Sequence, residues 1–400
     1  MADRTLEFID IDAEEEDLPK KKKKVNLTEK ELGERYDDTS ARILQDRNDF
    51  MLPQIRDLVD KQRWINLRPD YQRRHRWDKV KQSRLIESLL MNAPVPPIFL
   101  YETELSRYEV MDGQQRLASI VDFYKGKLAL QGLSVWSALE GRKYSELPTH
   151  LKRGLDRRRV SAVILLAESS PKTADDFPDI RKEIFERLNT GGTALNHQEL
   201  RNCVFAGAFN KLIIELARGA RFCQMWDIPP YDKNIDSKGR VSEALRDNIL
   251  FQTMADCQIV LRFFAFRDAA NVKGSVKRML DNSMRKRRNV SEIEIQQLRN
   301  VFDSRLRTVH AIFGKDAFKL PAQRGGKHSR PLFDALMIAV DRLWNKRTGL
   351  IRAKSKVRAK IKALLSREKY YEIIIGRPNT ADAVKARIAL VEKSLRSAIS

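Results

Sequence analysis

Cysteine is scarce in this chain of 400 residues. There are three, Cys203, Cys223 and Cys257, scattered and without Cys-x-x-Cys spacing. A disulfide framework or thiolate zinc site is therefore not expected, and the thiols read as buried groups in a reducing compartment. The five histidines (His75, His150, His197, His310, His328) are too dispersed for a metal-ligand cluster, so no metal ligands are assigned. No apolar run approaches the roughly 20 residues that cross a bilayer, and no signal-peptide pattern opens the chain. The expectation is a cytoplasmic protein without a membrane partner. Negative charge is in deficit: 54 Asp and Glu against 76 Lys and Arg leave a formal charge of +22. Basicity of this size does not choose a fold, but it points to a polyanionic partner, with DNA the leading choice. A merely solubilising surface is the alternative.

Hydrophobic residues make up 42% of the chain, enough for two or three cored domains. Residues 1–48 read as a disordered charged tail, acidic from Asp10 to Asp17 and basic from Lys20 to Lys24. Residues 49–170 alternate between short strands and helices. Ile55, Leu58 and Val59 fall on a helix face, and Trp64–Leu67 reads as a strand ending before Pro69. Leu85, Ile86, Leu89 and Leu90 give Val80–Met91 a helical period. Pro96–Tyr101 and Tyr108–Met111 form a candidate hairpin across Glu102–Arg107. Val160–Leu166 is a β-branched strand. Beyond Pro178 the pattern is helical: Ile180–Leu188, Glu199–Arg218, Glu243–Ala265, Ser291–Phe313, Pro331–Trp344 and Lys354–Ser366. The fold class is α+β, with a small α/β domain followed by a helical domain over 171–300 and a basic helical region over 301–400.

The chemistry concentrates in Tyr108-Glu-Val-Met-Asp-Gly-Gln-Gln-Arg-Leu-Ala-Ser-Ile120. A strand breaks at Asp112-Gly113 and a helical pattern begins at once. Such a turn aims backbone N–H groups and a positive helix end at one spot, where an anion is favoured. Gly113 permits close approach of a ligand, and Arg116 adds a planar cationic fork suited to phosphate. Gln114 and Gln115 offer neutral donors and acceptors for a sugar or base. A purely structural strand–helix corner is the competing account. The run Leu67-Arg-Pro-Asp-Tyr-Gln-Arg-Arg-His-Arg-Trp77 supplies further phosphate candidates, Gln72 and Arg73, while Trp77 reads as a core anchor. Asn189 and Thr190, before Gly191-Gly192, form either a second anion nest or an ordinary helix cap. A basic stretch carrying Lys277, Arg278, Arg285, Lys286, Arg287 and Arg288 offers contacts to DNA phosphates. Arg352–Lys362 is a second such stretch.

Taken in order, these segments resemble the GmrSD-type restriction N-terminal domain family, marked by its Asp-Gly-Gln-Gln-Arg signature. The likeness is strong over Asp49–Phe209 and looser through Lys273-Gly-Ser-Val-Lys277 and Phe333-Asp-Ala-Leu-Met337. It implies a ParB/sulfiredoxin-like fold and binding, with hydrolysis, of a nucleoside triphosphate (GTP, CTP or ATP, not distinguished) at Asp112–Arg116. Asp112 would then orient Mg²⁺ or water, and Gln114 or Gln115 the attacking water. Two departures from the ParB pattern stand out. Ala118 sits one position earlier than a strict Gly-x-x-Arg-x-x-Ala count, and the arginine expected after Asn189 is absent. Full-length restriction proteins of this type carry a histidine-rich HNH nuclease, and the region past Phe302 has only His310 and His328. Arg305-Leu-Arg-Thr-Val-His310 matches the Arg-x4-His pattern of HEPN ribonucleases superficially, its first spacer being apolar. The expectation is a nucleotide-binding defence component acting on DNA with a separate effector nuclease. The rival is a non-catalytic DNA-binding or antitoxin-like module.

Overall fold

Five strands with β-branched or aromatic cores build one mixed sheet in the N-terminal half. The computed structural model describes residues 28–31, 33, 45–67, 77–166, 196–205, 207–236, 241–376 and 380–399. These fall into two compact units, whose described parts are residues 28–166 and 196–399. In the first, the strands are β1 (Gln45–Met51), β2 (Ile65–Asn66), β3 (Ile98–Glu104), β4 (Arg107–Asp112) and β5 (Arg159–Leu165), in the order β1-β5-β3-β4-β2. β1 runs antiparallel to β5, β5 parallel to β3, β3 antiparallel to β4, and β4 parallel to β2. The hairpin expected between β3 and β4 is present, turning at Leu105-Ser106. β1 was not foreseen: Gln45–Asn48 fall in the segment read as charged tail. Only Phe50 of its seven residues is buried, so the main-chain ladder with β5 places it, rather than apolar alternation.

Four helices, α1 (Leu52–Asp60), α2 (Lys79–Leu90), α3 (Gln114–Tyr124) and α4 (Thr149–Asp156), cover the sheet. α3 contributes Leu117, Ile120 and Phe123 to the core, where they meet Ile98, Leu100 and Val110 in the same buried cluster. That packing fixes the axis of α3 and hence the place of its first turn. Its far end is held separately. Tyr124 and Tyr144 both donate to Asp156, at 2.8 and 2.9 Å, and burial holds the Tyr124 hydroxyl far above the ordinary tyrosine range.

A buried carboxylate anchors the long loop after α3. Glu87, 2% exposed on α2, accepts from the backbone N–H groups of Ser134 (3.2 Å), Val135 (2.7 Å) and Trp136 (2.8 Å), and from the Ser134 hydroxyl (3.0 Å). Burial pushes this carboxyl up, but the four donors outweigh burial and hold it below the ordinary glutamate range. With the folded value below the unfolded one, its contribution is whole above the unfolded value and is lost as pH falls through the folded value. Glu87→Gln is expected to lower stability at neutral pH by roughly 1–2 kcal/mol. It should also flatten the decline of melting temperature from about pH 5 downward. An acid limb as steep as that of the parent would refute this role.

The second unit is helical. It comprises α5 (His197–Val204), α6 (Ala208–Ala217), α7 (Ala220–Met225), α8 (Glu243–Arg246), α9 (Ile249–Gln252), α10 (Ala255–Arg267), α11 (Val276–Lys286), α12 (Glu292–Phe313), α13 (Arg330–Arg342), α14 (Arg347–Arg352), α15 (Lys354–Ser366), α16 (Glu368–Tyr371) and α17 (Ala381–Arg396). α10 is central: every residue from Ala255 to Phe266 is buried, as expected of a helix surrounded on all sides. Phe263 and Phe264 pack edge-on to each other, and both meet Phe302 of α12. Two helices expected as continuous are broken. Glu199–Arg218 divides at Gly207, and Glu243–Ala265 divides into α8, α9 and α10, with Met254 at φ 56° between the last two. The expected helix Ile180–Leu188 lies outside the described residues.

Candidate functional site at the β4–α3 corner

The corner begins where β4 ends at Asp112. Gly113 follows at φ 92°, a left-handed conformation that side-chain-bearing residues rarely adopt, and α3 starts at Gln114. A second constraint also selects glycine here. A Cβ at this position would lie 2.5 Å from Ile98 Cγ2 and 3.0 Å from Arg116 Nη2. No side chain caps this helix end, and its first main-chain bond runs from the Leu117 N–H to the Gly113 carbonyl (2.9 Å).

Each member of the Asp-Gly-Gln-Gln-Arg run has a definite place. Arg116 Nη2 donates to Asp112 Oδ2 at 2.6 Å and to the Pro97 carbonyl at 3.1 Å. The arginine side chain is 14% exposed and the aspartate 52% exposed, so the carboxylate is the more open half of the pair. Arg116 Nε is buried without a partner among the described residues. Gln114 Nε2 donates to the Leu67 carbonyl (2.6 Å), and the Trp77 N–H donates to Gln115 Oε1 (3.1 Å). The two glutamines therefore bind the residues on either side of segment 68–76, drawing Leu67 and Trp77 to adjacent positions of one helix. Trp77 packs against the core, as its sequence context indicated, with Lys81 lying over its ring at 5.0 Å.

Of the other sequence candidates, Gln72, Arg73, Asn189 and Thr190 lie outside the described residues. Sequence reasoning missed Pro97, Ile98 and Leu67, which wall the corner. They act through carbonyls or a methyl group, and the two carbonyls are 19 and 47 residues from their partners, so no local pattern marks them. Among the described residues no group of three or more His, Cys, Asp or Glu is arranged to hold a metal ion. A Mg²⁺ ion bound here would have Asp112 as its protein ligand and take the remaining oxygens from phosphates and water, a normal arrangement for this ion. That donor set fits Mg²⁺ entering with a nucleotide, and does not fit an all-protein cage.

The basic candidates in the helical unit divide by what they already touch. Lys286 pairs with Asp268 at 3.0 Å, and Arg285 bonds Asn282 at 3.1 Å. Arg287 donates to Ser283 Oγ (2.8 Å) and lies 5.4 Å from the Phe209 ring, where burial pushes its pKa down. Lys277 and Arg288 have partners as well. Arg278, at the exposed start of α11, is the most available of the six. Arg305 of the HEPN-like match is a packing residue: it pairs with Asp341 at 2.7 Å and its guanidinium lies 3.8 Å from the centre of the Trp344 ring.

The fold is thus a mixed α/β domain with a glycine-opened strand–helix corner, joined in sequence to a helical unit. Residues 55–206 match the family model described as GmrSD restriction endonuclease, N-terminal domain, and over this part the chain is similar to that family. That likeness suggests a component of a restriction or defence system. No curated protein and no solved structure matches the chain. No helix among the described residues is long and apolar enough to cross a membrane.

Proposed function

We propose that the chain is the nucleotide-binding component of a restriction or anti-phage defence system. It takes a nucleoside triphosphate (GTP, CTP or ATP) with Mg²⁺ at the β4–α3 corner, engages DNA, and acts with a separate effector nuclease. One observation carries the reading: Gly113 at φ 92° opens an uncapped helix end, with Arg116 one turn inside it. Gly113 and the first N–H groups of α3 would receive a phosphate, and Arg116 would supply the charge that orients it. The Arg116–Asp112 pair must open for this to happen. Asp112 would turn from Arg116 to hold the ion, which would leave one guanidinium face open to a phosphate. When bound, Mg²⁺ neutralises charge on the phosphates. Gln114 and Gln115 hold the ends of the segment bearing Gln72 and Arg73, which adds phosphate contacts in this reading. For either glutamine to position an attacking water, it must exchange a main-chain partner.

Calorimetric titration with each Mg²⁺–nucleotide tests the proposal. Arg116→Ala is expected to weaken binding roughly 10- to 100-fold, the worth of a hydrogen bond to a charged group. Arg116→Lys, which keeps charge but loses the fork, should fall between. Equal affinity in Arg116→Ala and parent defeats the reading.

The same ion pair favours a second reading. Arg116 already has a carboxylate and a carbonyl, as a purely structural corner would require, and the chain is then a non-catalytic DNA-binding or antitoxin-like module. Absence of nucleotide binding and of phosphate release, with and without DNA, selects it.

A further inference from the structure

We infer that the phosphate backbone of duplex DNA is held by the face of α14 and α15, centred on Arg352, Lys354, Lys356 and Lys362, and not by the α11 stretch. This rests on the DNA-engaging reading above and names the surface that serves it. Residues 346–369 carry ten lysines and arginines and a single carboxylate, Glu368, which pairs with Arg324 at 2.6 Å. Residues 268–288 carry seven cations and two carboxylates, and most of those cations are already engaged, as described above. Uncompensated charge, and not charge density along the sequence, sets the attraction for a polyanion.

The local structure of α15 separates its two faces. Val357, Ile361 and Leu365 form the buried stripe, so the apolar side of the helix is already consumed by the core. The side chains of Arg352, Lys354, Lys356 and Lys362 are exposed and have no partner among the described residues. The first turn has no acidic residue and its N-cap, Ala353, offers no capping side chain. Cations therefore sit at the positive end of a helix, an arrangement that a phosphate relieves. At 1.5 Å per residue α15 is about 20 Å long, sufficient to follow several successive phosphates. A lipid surface fits poorly, because an interfacial helix must present an apolar face and this one has buried it. Single strands are also disfavoured: the exposed large hydrophobic here is Ile351, and no exposed aromatic offers a stacking platform among residues 346–369.

The test is fluorescence anisotropy of a labelled duplex with the full chain across a salt series. The quadruple variant Arg352→Ala, Lys354→Ala, Lys356→Ala, Lys362→Ala should lose at least about tenfold in affinity near 0.1 M salt. Its log–log salt dependence should flatten by about one unit per cation removed. Arg285→Ala with Lys286→Ala should stay within about twofold of the parent, because both side chains already have partners, Asn282 and Asp268. Circular dichroism confirms folding, and the double charge reversal Lys356→Glu, Lys362→Glu gives a second variant with the same expected loss. If the parent binds duplex and both α15 variants bind equally well, the surface is wrong while DNA engagement stands. If the parent binds no duplex at any salt, the DNA reading falls and this inference with it. Loss of anionic-vesicle or single-strand binding, with duplex binding unchanged, also overturns it.

Discussion

Replacing Asp334 by alanine is expected to lower the stability of the helical unit by about 3–5 kcal/mol, the effect of breaking a buried ion pair from one side. Asp334 on α13 faces Arg262 of the central helix α10, with Nε to Oδ1 at 3.0 Å and a second bond between Nη2 and Oδ2. Arg387 of α17 approaches the same carboxylate at 3.7 Å, and all three side chains are 0% exposed. One carboxylate thus joins three helices where water cannot replace it. Its loss leaves two guanidinium groups in the interior facing a cavity, against a typical domain stability of about 5–15 kcal/mol. The cluster gains its value from mutual satisfaction: replacing all three members by apolar residues of similar volume, as in Arg262→Met and Arg387→Met with Asp334→Leu, should recover much of the loss. Urea unfolding measures both. A single substitution within about 1 kcal/mol of the parent would show the charges to be solvated by some other route.

The fold was legible wherever apolar spacing and stop signals agreed. Leu85, Ile86, Leu89 and Leu90 located α2 to within a residue or two, and the helix expected over Ser291–Phe313 is α12, Glu292–Phe313. Lys354–Ser366 was read with its observed limits. The failures differ in cause. β1 is polar along nearly its whole length and is placed by main-chain bonds to β5, a partner 112 residues away at Asp49–Ser161. The break of Glu243–Ala265 includes local signals that were passed over, the Ser242 and Asn248 caps of α8 and α9, and a left-handed Met254 that no spacing marks. At the site, the sequence located the corner, Gly113 and Arg116. The ion pair is also local, spanning four residues, but its formation depends on the Pro97 carbonyl holding the guanidinium from the opposite side. The glutamines were read as facing a ligand. Their contacts to Leu67 and Trp77 follow from the position of β2 beside β4, which no short-range pattern encodes. Charge behaved likewise, because a run of basic residues does not disclose which of them a folded neighbour will neutralise.

Gly113→Ala should cost the N-terminal unit about 2–5 kcal/mol. Two contributions add. The left-handed backbone penalises any Cβ by roughly 1–2 kcal/mol, and the methyl would lie 2.5 Å from Ile98 Cγ2, an overlap that cores tolerate only at about 1–3 kcal/mol. Gly126 separates the two, because its φ of 68° is also left-handed yet nothing lies within 4 Å of an added Cβ. Gly126→Ala should therefore show the backbone penalty alone, and the excess at Gly113 reports the close approach of β3. Shortening the neighbour in the double variant Ile98→Ala, Gly113→Ala should return part of that excess, a coupling that a double-mutant cycle detects. The added methyl would also stand 3.0 Å from Arg116 Nη2, turning the guanidinium away from the helix end. Nucleotide affinity should then fall further than stability does, even at temperatures where the variant remains folded. If Gly113→Ala costs no more than Gly126→Ala, the corner is looser than its geometry indicates. If it binds nucleotide as the parent does, the phosphate site lies elsewhere.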